Sequence, residues 1–409
     1  MKRFPFKLPL VLDGATGTEL QRQGLPAGVC PEKWILENPE KIIELQKRYV
    51  AAGSDIIYAP TFTANREKLG NHGITDVAGY CGKLVALSKK AAGDDTLVAG
   101  DISPLGLFLS PYGGGNFDAF TDVYREQAKA LSDAGIDLFA IETMMTLPEA
   151  RAAVLAIREV SDKPIFVTFT CDDGGRTLMG TDVAAALVIM QGMGVSAFGL
   201  NCSTGPDILE KQLGRISPFA EVPLISKPNA GLPIVEDGRT RYDCPPDVFA
   251  SNVGSMAEFG VCIFGGCCGT DDNHIKALTE AVHNACFSGY AAKSCGKVVC
   301  ASDRDVFVID ENTSFSSPVP CGEDFADDTE EASADFDIVT VLIEDEDSLE
   351  CFKESSYTLR SGLSVLSHDR GIFEKVLRLY QGRAVYDSGC GFDAGFLERM
   401  SDKYGLVVL

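Results

Sequence analysis

CIFGGCC, residues 262–268, is a short apolar run that stops at two glycines and two adjacent cysteines. Neighbouring cysteines bridge each other poorly. A disulfide needs Cα atoms about 4.4–6.8 Å apart and a specific dihedral, whereas neighbours across a trans peptide sit at about 3.8 Å. Gly265, Gly266 and Gly269 let backbone approach closely. Cys267 and Cys268 therefore read in two ways: as small buried residues in a glycine-rich turn, or as two thiols aimed at one metal. Runs of the same kind recur upstream, and the recurrence decides the fold.

The companion runs are VLDGA (11–15), DIIYAPTF (55–62), TLVAGDI (96–102), LFAIET (138–143), IFVTFT (165–170), SAFGLNC (196–202) and LISKPN (224–229). Each is short and mostly apolar, as a strand buried on both faces should be. Helix-like segments separate them. In NPEKIIELQKRYVAAG (38–53) Asn38 is a candidate cap, Pro39 suits the first helical position and Gly53 ends the helix. FTDVYREQAKALSDAG (120–135) and LPEARAAVLAIREV (147–160) have the same character. Eight strands alternating with helices over about 250 residues predict a (β/α)8 TIM barrel. A doubly wound open sheet is the alternative, but no Gly-x-Gly-x-x-Gly follows the first strand.

Composition narrows the class. The chain has 409 residues, 45% hydrophobic and 23% charged, as soluble globular proteins do. A net charge of −23 argues against nucleic-acid and acidic-membrane partners. No apolar run approaches the ~18 residues of a membrane span. MKRFPFKLPLVLDG shows no cleavage site, and fourteen scattered cysteines fit a reducing compartment, the cytoplasm. Sixteen acidic residues and no Lys or Arg lie between Asp305 and Phe352. The partition expected is a barrel over 1–295, an acidic linker over 296–336, and a small C-terminal α/β domain over 337–409. The last shows apolar runs at 337–344, 363–367, 382–389 and 406–409 separated by helix-like segments.

In a barrel of this kind, polar residues at the C-terminal strand ends meet at one mouth. Here they are Asp13, Thr61, Asp101, Glu142, Cys202, Asn229, Cys267 and Cys268. Three cysteines from two distant strands would thus converge. Three thiolates favour a borderline metal in tetrahedral surroundings, zinc being the common choice, with one position open. Such a centre is poor at splitting water and good at keeping an incoming thiol ionised, which points to thiol alkylation. Cys171 is a rival ligand; His72, His274, His283 and His368 form no His-x3-His pair and read as surface or helix-face residues. An amino-acid thiol would need carboxylates for its ammonium, Asp13 and Glu142, and backbone amides for its carboxylate, in GATGT (14–18) with Gly14, Thr16, Gly17 and Thr18.

DGATGTEL (13–20), GSDIIYAPTF (53–62), GLNCSTGP (199–206), KPNAGLP (227–233) and GGCCGT (265–270) together resemble the homocysteine S-methyltransferase family. The likeness spans about 10–290, in order, and includes the homocysteine-binding barrel of cobalamin-dependent methionine synthases. It implies zinc on Cys202, Cys267 and Cys268, homocysteine's amino group on Asp13 and Glu142, and Asn201 and Asn229 near the site. The product implied is methionine. The methyl donor it implies is a corrinoid protein or a methyltetrahydrofolate-linked system, with cobalamin or methyltetrahydrofolate supplied by a partner. S-methylmethionine, S-adenosylmethionine and betaine remain alternatives, as do another thiol acceptor and a non-catalytic zinc- or thiol-binding subunit. VFVIDENTSF (306–315) and the run from 363 to 389 resemble parts of a folate-binding module too short to close a second barrel. The apolar run at 406–409 suggests pairing with another chain, and hence a homodimer.

Overall fold

A computed structural model describes residues 4–110, 113–236, 239–287 and 296–409. Eight parallel strands follow the expected runs: β1 Leu10–Val11, β2 Ile56–Tyr58, β3 Leu97–Ile102, β4 Leu138–Met144, β5 Ile165–Phe169, β6 Ala197–Asn201, β7 Leu224–Lys227 and β8 Val261–Phe264. Hydrogen bonding runs from β2 in sequence order to β8 and on to β1. A bridge between Leu12 and Ile56 closes the ring, so the fold is a barrel and not an open sheet.

Strand alternation sends every second residue inward. Leu10, Leu12, Ile56, Ala99, Leu138, Ala140, Phe166, Ala197, Ile225 and Ile263 fill the interior as one cluster. Phe4 and Phe6 pack on Phe166 as part of the same cluster. Extending the same alternation along β2, β3, β4 and β7 reaches Tyr58, Asp101, Glu142 and Lys227, so the top layer of the barrel is polar. Close packing demands glycine within the wall: a Cβ on Gly199 would strike the Ile225 backbone.

Helix Pro39–Ala52 ends on Gly53 in the left-handed region, φ 106°, as expected. Asn38 does not cap it with its side chain. The amide instead donates to the Trp34 carbonyl at 2.9 Å, ending the preceding helix, Pro31–Glu37.

The segment expected to be an acidic linker is structured, and that expectation is corrected. It holds an antiparallel hairpin, β9 Val298–Ala301 with β10 Val306–Ile309, then β11 Val319–Pro320 and the helix Phe325–Asp335. Phe325 and Thr329 face inward while the acidic residues crowd the solvated side. Charge density hid a narrow apolar stripe. β11 starts a parallel sheet with β12 Ile338–Leu342, β13 Gly362–Leu366 and β14 Val385–Tyr386. The boundary expected at 295 lies outside the described residues.

This C-terminal unit is seated on the barrel. The helix Val183–Gly192 is buried at every residue from Val183 to Gln191. A helix apolar all round needs cover on both sides, and β9, β10 and the helix Ala394–Tyr404 supply the outer one. Arg151, on the helix Leu147–Val160, is fully buried. Its guanidinium donates to the carbonyls of Leu377 (2.9 Å) and Arg378 (3.3 Å) and to Gln381 Oε1 (3.1 Å). The two carbonyls close the helix Arg370–Leu379, whose last turn favours a cation. Arg378 reaches back to Asp118 at 2.6 Å.

Arg151→Met should cost about 3 kcal/mol, since buried carbonyls would lose a charged donor. Hydrogen exchange should show the helix Arg370–Leu379 opening before the barrel strands; unchanged protection there would place the docking energy elsewhere.

Candidate active site

Cys202 follows β6, and Cys267 and Cys268 follow β8. Their sulfurs lie within 4.8 Å of one another, a grouping that could hold a metal ion. Cys171, the rival, is buried and outside the group. Cys202 and Ser203 adopt positive φ, 61° and 59°, as does Thr143 at 59° beyond Glu142. That region costs a residue with a Cβ about 1 kcal/mol, and such residues cluster at functional sites.

Hydrogen bonds hold these turns. Asn201 Oδ1 accepts from the Thr143 N–H at 3.0 Å, and its Nδ2 donates to Thr143 Oγ1 at 2.7 Å and lies 3.8 Å from Cys267 Sγ. Thr270 Oγ1 donates to the Cys267 carbonyl at 2.7 Å and accepts from the Ala15 N–H at 3.1 Å. Thr18 Oγ1 accepts from the Gly269 N–H at 3.2 Å. The GATGT turn is thereby tied to the cysteine turn. Thr16 and Thr18 are half-buried and Gly17 is exposed. Gly14 is buried, and a Cβ there would press on the Tyr49 ring at 2.8 Å.

Thiol–thiol hydrogen bonds first, then burial, set the ionisation of the three cysteines. Cys202 and Cys268 rise to about 11 and Cys267 rises further. A cation is needed to ionise them together at neutral pH, and three such sulfurs are a zinc donor set.

Beside them lies a buried ionic cluster. Lys227 Nζ is 2.9 Å from Glu142 Oε2, 3.8 Å from Asp13 Oδ1 and 4.2 Å from the centre of the Tyr58 ring. Burial alone would lower the Lys227 ammonium, but Glu142 and Asp13 more than reverse it and raise it well above its usual value. Asp13 Oδ2 accepts from the Tyr58 N–H at 2.8 Å, while Asp13 Oδ1 and Asp101 Oδ1 are buried without a hydrogen-bond partner. Burial raises Asp13 to about 7 against the pull of Lys227. Burial, then the Glu142 charge, raises Asp101 well above its ordinary range. Asn229 Oδ1 is likewise buried and unpartnered.

The strand-end reading named Asp13, Thr61, Asp101, Glu142, Cys202, Asn229, Cys267 and Cys268, and each lies at or near the C-terminal end of its strand; Asn201, placed near the site by the resemblance, is the last residue of β6. The sequence reading missed Lys227, which alternation along β7 from Ile225 would have turned inward. It also missed Tyr242, which carried no signal. Tyr242 follows a short antiparallel pair, Ile234–Glu236 with Arg239–Arg241. Burial first, then the neighbouring Cys268, pushes its phenol up. Its ring covers Gly269, where φ is 83° and a Cβ would strike that ring. His274, expected at a surface or helix face, is buried; it forms a capping box with Asp271, and its Nε2 lies 3.0 Å from the Cys244 carbonyl. A separate cleft of about 730 Å³ lies between the loops after β3 to β5 and the C-terminal unit, with Phe108, Tyr357 and Arg378 in its lining and none of the three cysteines.

Residues 10–282 match the family described as homocysteine S-methyltransferase. The chain belongs to that family. It is 33% identical over 294 residues to a methionine synthase of Mycobacterium leprae (strain TN), covering 67% of this chain and 24% of that protein. A methionine synthase of Mycobacterium tuberculosis (strain ATCC 25618 / H37Rv) is 31% identical over 330 residues, covering 74% of this chain and 28% of that protein. The chain thus spans about a quarter of these relatives' length. Among solved structures it is similar to the homocysteine methyltransferase MmuM from Escherichia coli in its metallated form. That likeness has a TM-score of 0.57 and 26% identity, over 66% of this chain and 95% of that one. The apo form of MmuM superposes with a TM-score of 0.54 at the same identity and coverage.

Gly266→Ala tests the cysteine turn. A Cβ there would strike the Thr270 side chain, breaking the link between Cys267 and Ala15. Metal analysis of reduced protein should show uptake falling well below one equivalent while the fold persists; full uptake would show that the Thr270 link is dispensable.

Proposed function

We propose that this chain methylates homocysteine, using a zinc ion held by Cys202, Cys267 and Cys268. The observation that carries the reading is the meeting of three cysteines from two strand ends beside a buried, acid-rich pocket. Zinc in that donor set would keep a substrate thiol ionised at neutral pH. The chain's own residues do the rest. The carboxyl groups of Asp13, Glu142 and Asp101 outnumber Lys227, so the cluster has a surplus of acceptors that suits a second cation. Asp13 Oδ1 and Asp101 Oδ1 are two of its buried atoms without a hydrogen-bond partner, and the α-ammonium of homocysteine would supply one. The first N–H groups of the helix Gly17–Arg22 have no intrahelical acceptor and suit the substrate carboxylate. In net terms a C–S bond forms, the methyl group leaves its donor and the thiol proton is released.

For the donor we favour a corrinoid protein or a methyltetrahydrofolate-linked system, on the likeness to methionine synthases. The C-terminal unit is read as a reduced pterin-module relative that serves as a structural partner of the barrel. A reducing, cytoplasmic setting agrees with the free thiols among the described cysteines. None of the described helices is long and apolar enough to cross a membrane.

Metal analysis after reducing purification, followed by calorimetric titration with homocysteine, tests the reading. Wild type should hold one equivalent of zinc and bind homocysteine with proton release, and Cys268→Ser should do neither. Zinc without homocysteine binding would point to another thiol acceptor. Neither in reduced protein would sink the enzyme reading.

The Asp13 carboxyl, at about 7, is neutral below that pH and charged above it. A neutral carboxyl holds an ammonium poorly, so homocysteine affinity should fall as pH drops from 8 to 6. Asp13→Asn should lack that component and bind about 10- to 100-fold more weakly at pH 8, the loss expected for a hydrogen bond to a charged group. An unchanged pH profile in the variant would remove Asp13 from the ammonium site.

A further inference from the structure

We infer that Lys227 is a positioning residue that occupies Glu142 from within the chain, and that Asp101, together with Asp13, receives the ammonium of the substrate. This rests on the reading above and deepens it, because it moves the ammonium away from Glu142, where the family resemblance would put it.

Lys227 Nζ donates to Glu142 Oε2 at 2.9 Å but stands 3.8 Å from Asp13 Oδ1, too far for a hydrogen bond. Glu142 is thus served by the chain itself, and Asp13 Oδ1 is not. Lys227 is held along its whole side chain. Its ammonium lies over the Tyr58 ring, and its stem lies against Gly265, where an added Cβ would come within 3.2 Å of Cγ. The residue is buried. Withdrawing it from Glu142 would leave a buried charge without its partner, a costly step.

Asp101 has the opposite character. Thr61 Oγ1 accepts from its N–H at 3.0 Å and donates to its carbonyl at 2.9 Å, which fixes the backbone near the end of β3. Its Oδ1 is nevertheless buried without a hydrogen-bond partner, as Asp13 Oδ1 is. Asp101 follows Ala99 in the inward register of β3, as Glu142 follows Ala140 and Lys227 follows Ile225. All three therefore belong to the same polar layer. Two orphaned carboxyl oxygens call for a donor with more than one N–H, and an ammonium offers three. Burial, then the Glu142 charge, holds the Asp101 carboxyl up, and a cation at Oδ1 would oppose that.

A pair of thiols tests the assignment. 4-Mercaptobutyrate carries the thiol and carboxylate of homocysteine at the same spacing and lacks the ammonium, so the ratio of the two affinities reports ammonium recognition alone. Both are titrated by calorimetry into reduced, zinc-loaded protein, with a melting curve for each variant. Wild type should prefer homocysteine. Asp101→Asn should lose about 10- to 100-fold of that preference, the range for a hydrogen bond to a charged group, and still bind 4-mercaptobutyrate. Lys227→Met combined with Glu142→Gln removes both partners of the ion pair at once. It should weaken both thiols alike and leave the preference in place. An undiminished preference in Asp101→Asn would overturn the proposal, and so would its loss in the folded double variant, which would return the ammonium to Glu142. If the double variant does not fold, Asp101→Asn decides alone. Equal binding of both thiols by wild type would overturn this proposal and leave the metal reading standing. Failure of wild type to bind either thiol would overturn the proposed function, and this proposal with it.

Discussion

The mouth of this barrel depends on one buried cation. Lys227 is held at 2.9 Å from Glu142 with its ammonium over the Tyr58 ring. An ion pair in such a place is costly unless the remaining lone pairs find partners. The neighbouring acids do not all find them, since Asp13 and Asp101 each keep one buried oxygen without a donor. A folded protein seldom leaves such atoms orphaned without reason. The cluster is satisfied within the chain only in part, and the unfilled part matches an ammonium. The thiol-bearing turns lie next to this cluster, so sulfur ligands and buried acidic groups stand side by side.

Geometry couples those halves. The cysteine turn is fastened to the turn after β1 through Thr270 and Thr18, and to the turn after β4 through Asn201. Displacing any one of these turns moves the others. The closed ring of parallel strands makes the arrangement rigid, because each strand end is fixed by two neighbours. The C-terminal unit contributes from the opposite layer. It buries the outer faces of the helices after β4 and β5, and Arg151 locks it there.

Much of this was legible in the sequence. The eight apolar runs gave the strands because a barrel strand is buried on both faces and shows no polar alternation. The strand-end rule then gathered three cysteines and three carboxylates at one mouth. Lys227 was legible in principle, since alternation from Ile225 turns it inward, but a lysine amid apolar neighbours reads first as a surface residue. Tyr242 was not legible: its approach depends on how a loop folds back, which no local pattern encodes. The acidic segment misled for a physical reason. Few inward residues, Phe325 and Thr329 chief among them, anchor the helix Phe325–Asp335, and composition averages them away.

The left-handed backbone at Thr143, Cys202 and Ser203 has an evolutionary side. Glycine would relax each of these positions, yet at 202 it would delete a sulfur and at 143 the hydroxyl that Asn201 holds. Selection for heat resistance alone would therefore tend to erode the very turns that bear the cysteine group and its supports. Selection for turnover must keep backbone there that is locally unfavourable. In this barrel, the sites where durability and catalysis pull apart are at the ends of β4 and β6, where a lineage's history of compromise should be sought.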